Sequence, residues 1–266
     1  MENDFRGGEA AANVCVAHQG KRIADSQFAQ VMRKGSAVNR SAQIIEMFEN
    51  RAVFYRLLAM LYFKPLDEMQ IEAFANSQLE ELAEDEGSPY AKAFHDMHGA
   101  LRLRHTGTCE ILAADFTGAF YGVKEVKGRT AQPIQSLFQG DGGLLMGETR
   151  NEVHRALKSE ALKVSEGLDL PDDHLAFICE YLARLCGDTA ATVREGNFEE
   201  ALSITQRQRK FFDEHVASWA FDFVSLAESF VETRFYRGVL ELTSAFFAEE
   251  QVTFDDMLGL LQGAAA

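Results

Sequence analysis

An all-α fold, a single helical body of about nine or ten helices, is what the sequence predicts, from three features. Only 4 prolines interrupt 266 residues, so long helices can run unbroken. Hydrophobic residues make up 47% of the chain and include 21 Phe, enough for a large packed core. Apolar residues recur at three- and four-residue steps in segment after segment, and no stretch alternates in the manner of a strand.

The formal net charge of −15 excludes nucleic-acid binding, which needs clustered Lys and Arg against phosphates, and suits a basic partner peptide instead. The four cysteines, Cys15, Cys109, Cys179 and Cys186, form no CxxC pair and read as buried thiols in a reducing compartment. No run of 18 apolar residues and no signal-peptide core occur, so a cytoplasmic protein without stable membrane insertion is expected.

Residues 1–40 mix glycines with both charge signs and lack a helical period, which predicts a flexible tail. The body is expected over 41–262. From Ser41, Ile44, Ile45, Phe48, Ala52, Tyr55, Leu58, Ala59 and Tyr62 recur at helical spacing until Pro65 stops the run. Arg51 and Arg56 fall off that stripe and read as solvated or ion-paired. Asp67–Asn76 predicts a short second helix. The acids from Glu80 to Glu86 read as a solvated face, and Ser88-Pro89 as a cap and first-turn proline for a helix reaching Arg104. His95, His98 and His105 lack a partnering ligand set, and no metal site is assigned to them.

Thr108 is expected to cap a helix carrying Ile111, Leu112, Asp115, Phe116, Ala119 and Phe120. Tyr121–Gly147 is the longest irregular stretch, and long loops in compact domains are often functional. Its Gly140-Asp141-Gly142-Gly143 lacks both the Lys-Ser/Thr ending of a phosphate loop and the dinucleotide spacing. Thr149 is expected to cap the next helix, and residues 159–170 to form a hinge between two helical halves.

Leu168-Asp169-Leu170-Pro171-Asp172-Asp173-His174-Leu175 then opens a strongly apolar helix. Pro171 suits a first helical turn, and acids there favour the positive end of the helix dipole, which places Asp173 and His174 at an exposed helix start. Gly187 and Gly196 bracket an expected turn. Asn197 caps a helix through Phe212; Trp219 reads as a core or hinge anchor; Thr233 to Phe246 forms the next helix; Thr253 caps a short last one.

The Pro-x-Asp-His start at 171–174, preceded by Ser136-Leu137-Phe138 and Gly143-Leu144-Leu145-Met146-Gly147-Glu148-Thr149, resembles the TorD/DmsD/NarJ family of molybdoenzyme maturation chaperones. Asp115-Phe116-Thr117-Gly118-Ala119-Phe120 resembles the same family in part, with Gly118 and Ala119 standing where it carries larger residues, and Phe235-Tyr236 matches its Phe-Tyr element. The resemblance spans roughly residues 45–250. It implies an all-helical, non-enzymatic protein, monomeric or a domain-swapped dimer. It further implies no resident cofactor, with weak guanine-nucleotide binding as suggested for some relatives.

Its expected partner is the precursor of a molybdoenzyme catalytic subunit, bound through a twin-arginine signal peptide. Such a peptide pairs two arginines with an apolar run, so its receptor needs carboxylates beside an apolar groove. Asp115, Asp141, Asp173 and Glu180 are the candidate carboxylates, and Phe116, Phe120, Tyr121 and Phe138 the candidate apolar lining. Position in the family adds Arg56 and Tyr62 on the first helix, with Pro171 and His174 at the motif. The alternatives are a client that is not exported, as for NarJ-like members, and a hydrolase using Asp173 and His174 as acid and base.

Overall fold

The computed structural model describes residues 37–77, 79–85, 87–139, 148–160 and 170–265. Among them lie ten α-helices and no strand: α1 (Ala37–Phe63), α2 (Glu68–Ala75), α3 (Leu79–Glu84), α4 (Ala91–Arg102), α5 (Thr108–Phe120), α6 (Glu148–Ser159), α7 (Leu175–Arg194), α8 (Phe198–Phe212), α9 (Ala220–Ala227) and α10 (Arg234–Ala265). The tail, most of the expected hinge and the Gly-rich loop with Asp141 lie outside the described residues.

Helix α1 is the axis of the body. Phe48, Ala52, Val53, Phe54, Tyr55, Leu57, Leu58, Leu61 and Tyr62 are all buried, which is apolar surface on every side rather than one stripe. A helix of that kind must be surrounded by others. Helix α7 packs most extensively against it. The two run antiparallel, with Glu49 paired to Arg194 at one end and Phe63 edge-on to Phe177 at the other. Helices α8 and α10 complete the wall. Helix α10 also crosses α4 so closely that a Cβ on Gly238 would stand 2.7 Å from the Ala93 carbonyl oxygen, which only glycine avoids.

A polar cluster sits at the centre of this apolar packing. Arg51 is 2% exposed and donates to both carboxylate oxygens of Glu250, Nε to Oε1 at 2.7 Å and Nη2 to Oε2 at 2.5 Å. Its Nη1 donates to Gln208 Oε1 at 3.0 Å, and Tyr55 donates its hydroxyl to Glu250 at 2.5 Å. Gln208 passes the chain on to Thr189 (2.8 Å), which donates to the Leu185 carbonyl (3.0 Å). The rings of Phe48 and Phe254 face the guanidinium carbon at 5.1 and 4.8 Å. Burial and the neighbouring Glu250 push the Tyr55 pKa far up, so its proton stays available to the carboxylate. Of the two readings open for Arg51 in the sequence, ion-paired is the observed one, and the pair is buried.

The element ends show where local signals compete. Asp67 and Gln70 form a reciprocal capping box at α2, and Asn197 accepts from the Glu200 amide at α8, the cap expected there. Helix α1 begins at Ala37, four residues before the expected Ser41. Thr108 and Thr149 lie inside helices that begin at Thr108 and Glu148, so neither is a cap. The expected turn at Gly187 is absent: α7 runs through it to Arg194, because burial on both sides outweighs the weak helix propensity of one glycine. Thr253 opens no separate helix; α10 continues past it, and its hydroxyl bonds back to the Glu249 carbonyl at 2.9 Å. Pro171 precedes α7 by four residues rather than sitting in its first turn.

Removing one partner of a buried ion pair strands the other, which costs about 3–5 kcal/mol. Arg51→Met is therefore expected to lower the urea unfolding free energy by about that much, and the double variant Arg51→Met/Glu250→Met to recover a large part of it. A single-variant loss of under about 1 kcal/mol, the range of a surface pair, would show that the cluster does not hold the helices together.

Candidate functional site

Pro133 to Gln139 lies against the start of α7 through three hydrogen bonds. Leu175 donates its amide to the Pro133 carbonyl (2.8 Å), Gln135 to the Asp173 carbonyl (3.1 Å) and Ser136 to Asp173 Oδ2 (2.8 Å). The two backbone bonds make Ile134 and His174 an isolated antiparallel bridge. These contacts wind residues 135–137 into one 3-10 turn.

Asp173 and His174 are consequently buried, at 0% and 3% exposure, where the sequence reading placed them on an exposed helix start. The reading missed that the loop thirty-odd residues earlier folds back over this end. Asp173 Oδ1 and the neighbouring Ser136 hydroxyl are buried without a hydrogen-bond partner among the described residues. His174, not an acid, is the N-cap of α7: its Nδ1 accepts from the Ala176 amide at 3.2 Å, which leaves the ring proton on Nε2. Burial pushes its pKa down to about 3, so the imidazole is neutral at pH 7. A general base needs a pKa near the working pH and a free nitrogen facing the substrate. His174 has neither, and the hydrolase alternative loses its base.

The other side of the 3-10 turn rests on a π-helical turn, Asp213–Ala217, between α8 and α9. A π turn shifts carbonyls out of the helical ladder. Here the Glu214 carbonyl accepts from Gln135 Nε2 (2.9 Å), and the His215 carbonyl accepts from Trp219 Nε1 (2.7 Å). His215 Nδ1 meets Gln135 Oε1 at 3.1 Å, and burial lowers the pKa of this ring as well. Phe138 leans on Trp219 and Phe223, with ring centroids 5.6 and 5.9 Å away, and Arg129 lies over its outer face at 5.6 Å. Gln135 and His215 were not singled out in the sequence. Neither a lone glutamine in a loop nor a π turn has a sequence signature.

The remaining candidates divide by burial. Asp115 is 6% exposed, and its two oxygens accept from the Glu232 and Thr233 amides at 2.9 and 2.7 Å, which fixes the approach to α10. Phe116, Phe120 and Tyr62 belong to one aromatic cluster with Phe223 and Tyr236, and the Tyr62 hydroxyl is spent on Thr243 at 2.8 Å. These four residues serve the core and form no open groove lining. Tyr121 is 44% exposed, Arg56 is exposed, and Phe138, Pro171 and Glu180 are half-buried. Burial raises the Glu180 pKa, opposed by the charge of Arg56 across the α1–α7 seam. Met60 and Phe63, both partly buried, follow Arg56 at helical spacing on α1, and Phe63 meets Phe177 of α7 edge-on.

Among the described residues no group of three metal-ligating side chains converges. Asp173 and His174 each accept a backbone amide at the joint between loop and helix. Residues 83–225, more than half of the chain, match the family described as the nitrate reductase delta subunit. The chain is also similar to the curated chaperone protein TorD of Vibrio vulnificus (strain YJ016), 30% identical over 203 residues, 74% of this chain and 91% of that protein. TorD of Vibrio cholerae (strain M66-2) is 28% identical over 79% of this chain and 94% of its own length. TorD of Shewanella pealeana is 27% identical over 80% and 93%. The chain therefore belongs to the TorD/NarJ family of molybdoenzyme maturation chaperones.

The His174 cap carries a pH signature. Above its ordinary pKa of 6.5 both folded and unfolded chains hold the neutral ring, and the full stability is present. Below that the unfolded chain takes the proton first, and stability falls until pH reaches the folded value of about 3. His174→Asn keeps a capping oxygen and removes this titration. Between about pH 7 and about pH 5 the wild type should lose about 2 kcal/mol more than the variant, read from paired urea curves. Parallel losses would mean that His174 is not held neutral.

Proposed function

We propose that the chain binds, in the cytoplasm, the precursor of a molybdenum-cofactor oxidoreductase through its twin-arginine signal peptide, and holds it until the cofactor is inserted. The likeness to TorD chaperones over most of both chains carries this reading. The formal net charge of −15 supports it, because a peptide opening on two arginines is drawn to an acidic body.

Burial ranks the contact residues. Asp115 and Asp173 already accept backbone amides, so an incoming guanidinium would have to displace structure to reach them. Glu180 is the better anchor: it is half-buried on α7 and opposed by the nearby charge of Arg56, which Met60 and Phe63 follow at helical spacing on α1. A peptide arginine arriving there would replace the role of Arg56 and could lay its apolar run along the seam toward Tyr121 and Phe138. Asp141 keeps its place in the proposal on sequence grounds. An unexported client, as for NarJ-like members of the family, is the second reading.

Calorimetry with a twin-arginine peptide tests the proposal. A charge-assisted contact is worth roughly 1.5–3 kcal/mol, so Glu180→Gln should weaken binding about tenfold or more, and two Lys in place of the peptide's arginines should weaken it as well. Binding of the client's mature part alone, with no affinity for the peptide, would favour the unexported client. Equal affinities of wild type and Glu180→Gln would remove the seam from the site.

A further inference from the structure

Three of the large apolar side chains left exposed, Tyr121 (44%), Val123 (70%) and Val126 (42%), fall within six residues of one another. Three cations, Lys124, Lys127 and Arg129, stand among two acids, Glu125 in the segment and Glu232, which pairs with Lys124, so the tip keeps a small net positive charge on a chain of net charge −15. The segment is built, not loose. Val126 and Arg129 exchange both backbone hydrogen bonds at 3.0 Å around Lys127 and Gly128, whose φ values of 52° and 76° are those of a tight two-residue hairpin turn. At its base the Lys124 ammonium donates to the Phe230 carbonyl and to Glu232, each at 2.7 Å. Asn or Gly would take the Lys127 backbone conformation with less strain, so a lysine there places a charge at the tip at a conformational cost.

From this geometry we propose that the 121–129 hairpin is a peripheral docking tip for a membrane surface rich in anionic lipid. A convex tip cannot enclose a peptide. Its valines leave water only by entering something that yields, and the headgroup layer of a bilayer does. The tyrosine suits the interface, and the cations suit anionic headgroups. Nucleic acid would satisfy the cations but give the valines nothing. The acidic body does not forbid the contact, since at physiological salt charges more than about 8 Å from the surface are largely screened. With so few cations and a small apolar insertion, the docking is weak and reversible.

The test is sedimentation of the full chain with phosphatidylcholine vesicles and with vesicles rich in phosphatidylglycerol. The chain should co-sediment with the anionic vesicles only, and less as salt rises. Lys127→Glu should lower that affinity roughly tenfold or more, and Val126→Ser several-fold, with unchanged circular dichroism and melting. No sedimentation with anionic vesicles at low salt would overturn the proposal, as would sedimentation that both variants leave unchanged. Because both changes lie outside the α1–α7 seam, peptide affinity and vesicle affinity report on the two proposals separately.

Discussion

A guanidinium with no access to water is the constraint that orders this molecule. Arg51 on α1 can be buried only if every donor it presents meets an acceptor, and those acceptors come from α10 and α8. Gln208, having given its oxygen to Arg51, gives its amide to Thr189 on α7. One charge thus fixes the mutual register of the four helices that form the wall of the body. An apolar core alone would allow those helices to slide by a turn at modest cost; a stranded buried charge would not.

The same four helices carry the proposed client site. Antiparallel to α1, α7 carries the fixed register from Thr189 down to His174, where the 133–139 segment and the π turn close over it. The Asp-His pair that marks the family in sequence is here the joint between loop and helix. Its burial shifts attention to what stays reachable around it: the Arg56–Glu180 seam, Phe138 and Tyr121. The proposed contacts Arg56 and Glu180 sit on helices, with irregular chain at residues 121–139 beside them.

The sequence made legible whatever depends on local pattern. Helical periodicity placed α1, α5, α7 and α8, and the cap at Asn197 fell where side-chain chemistry put it. It failed where a distant segment decides the outcome. Asp173 was taken as exposed because nothing near it in the chain says that Ser136 donates an amide to it. Asp115, Phe116 and Phe120 carry family-like chemistry, but whether an aromatic faces a groove or a core depends on what packs over it, here Tyr236 and Phe223. Arg51 fell off the apolar stripe and was open to a solvated reading for the same reason: its partner lies 199 residues away.

Hydrogen exchange of the full chain, with and without a twin-arginine peptide, tests most directly the claim that a fixed four-helix frame presents its client site along the α1–α7 seam. The account predicts added protection around Arg56, Glu180 and residues 133–139, with the already slow amides around Arg51, Gln208 and Glu250 unchanged. Faster exchange in that centre on binding, or protection confined to other faces, would contradict it.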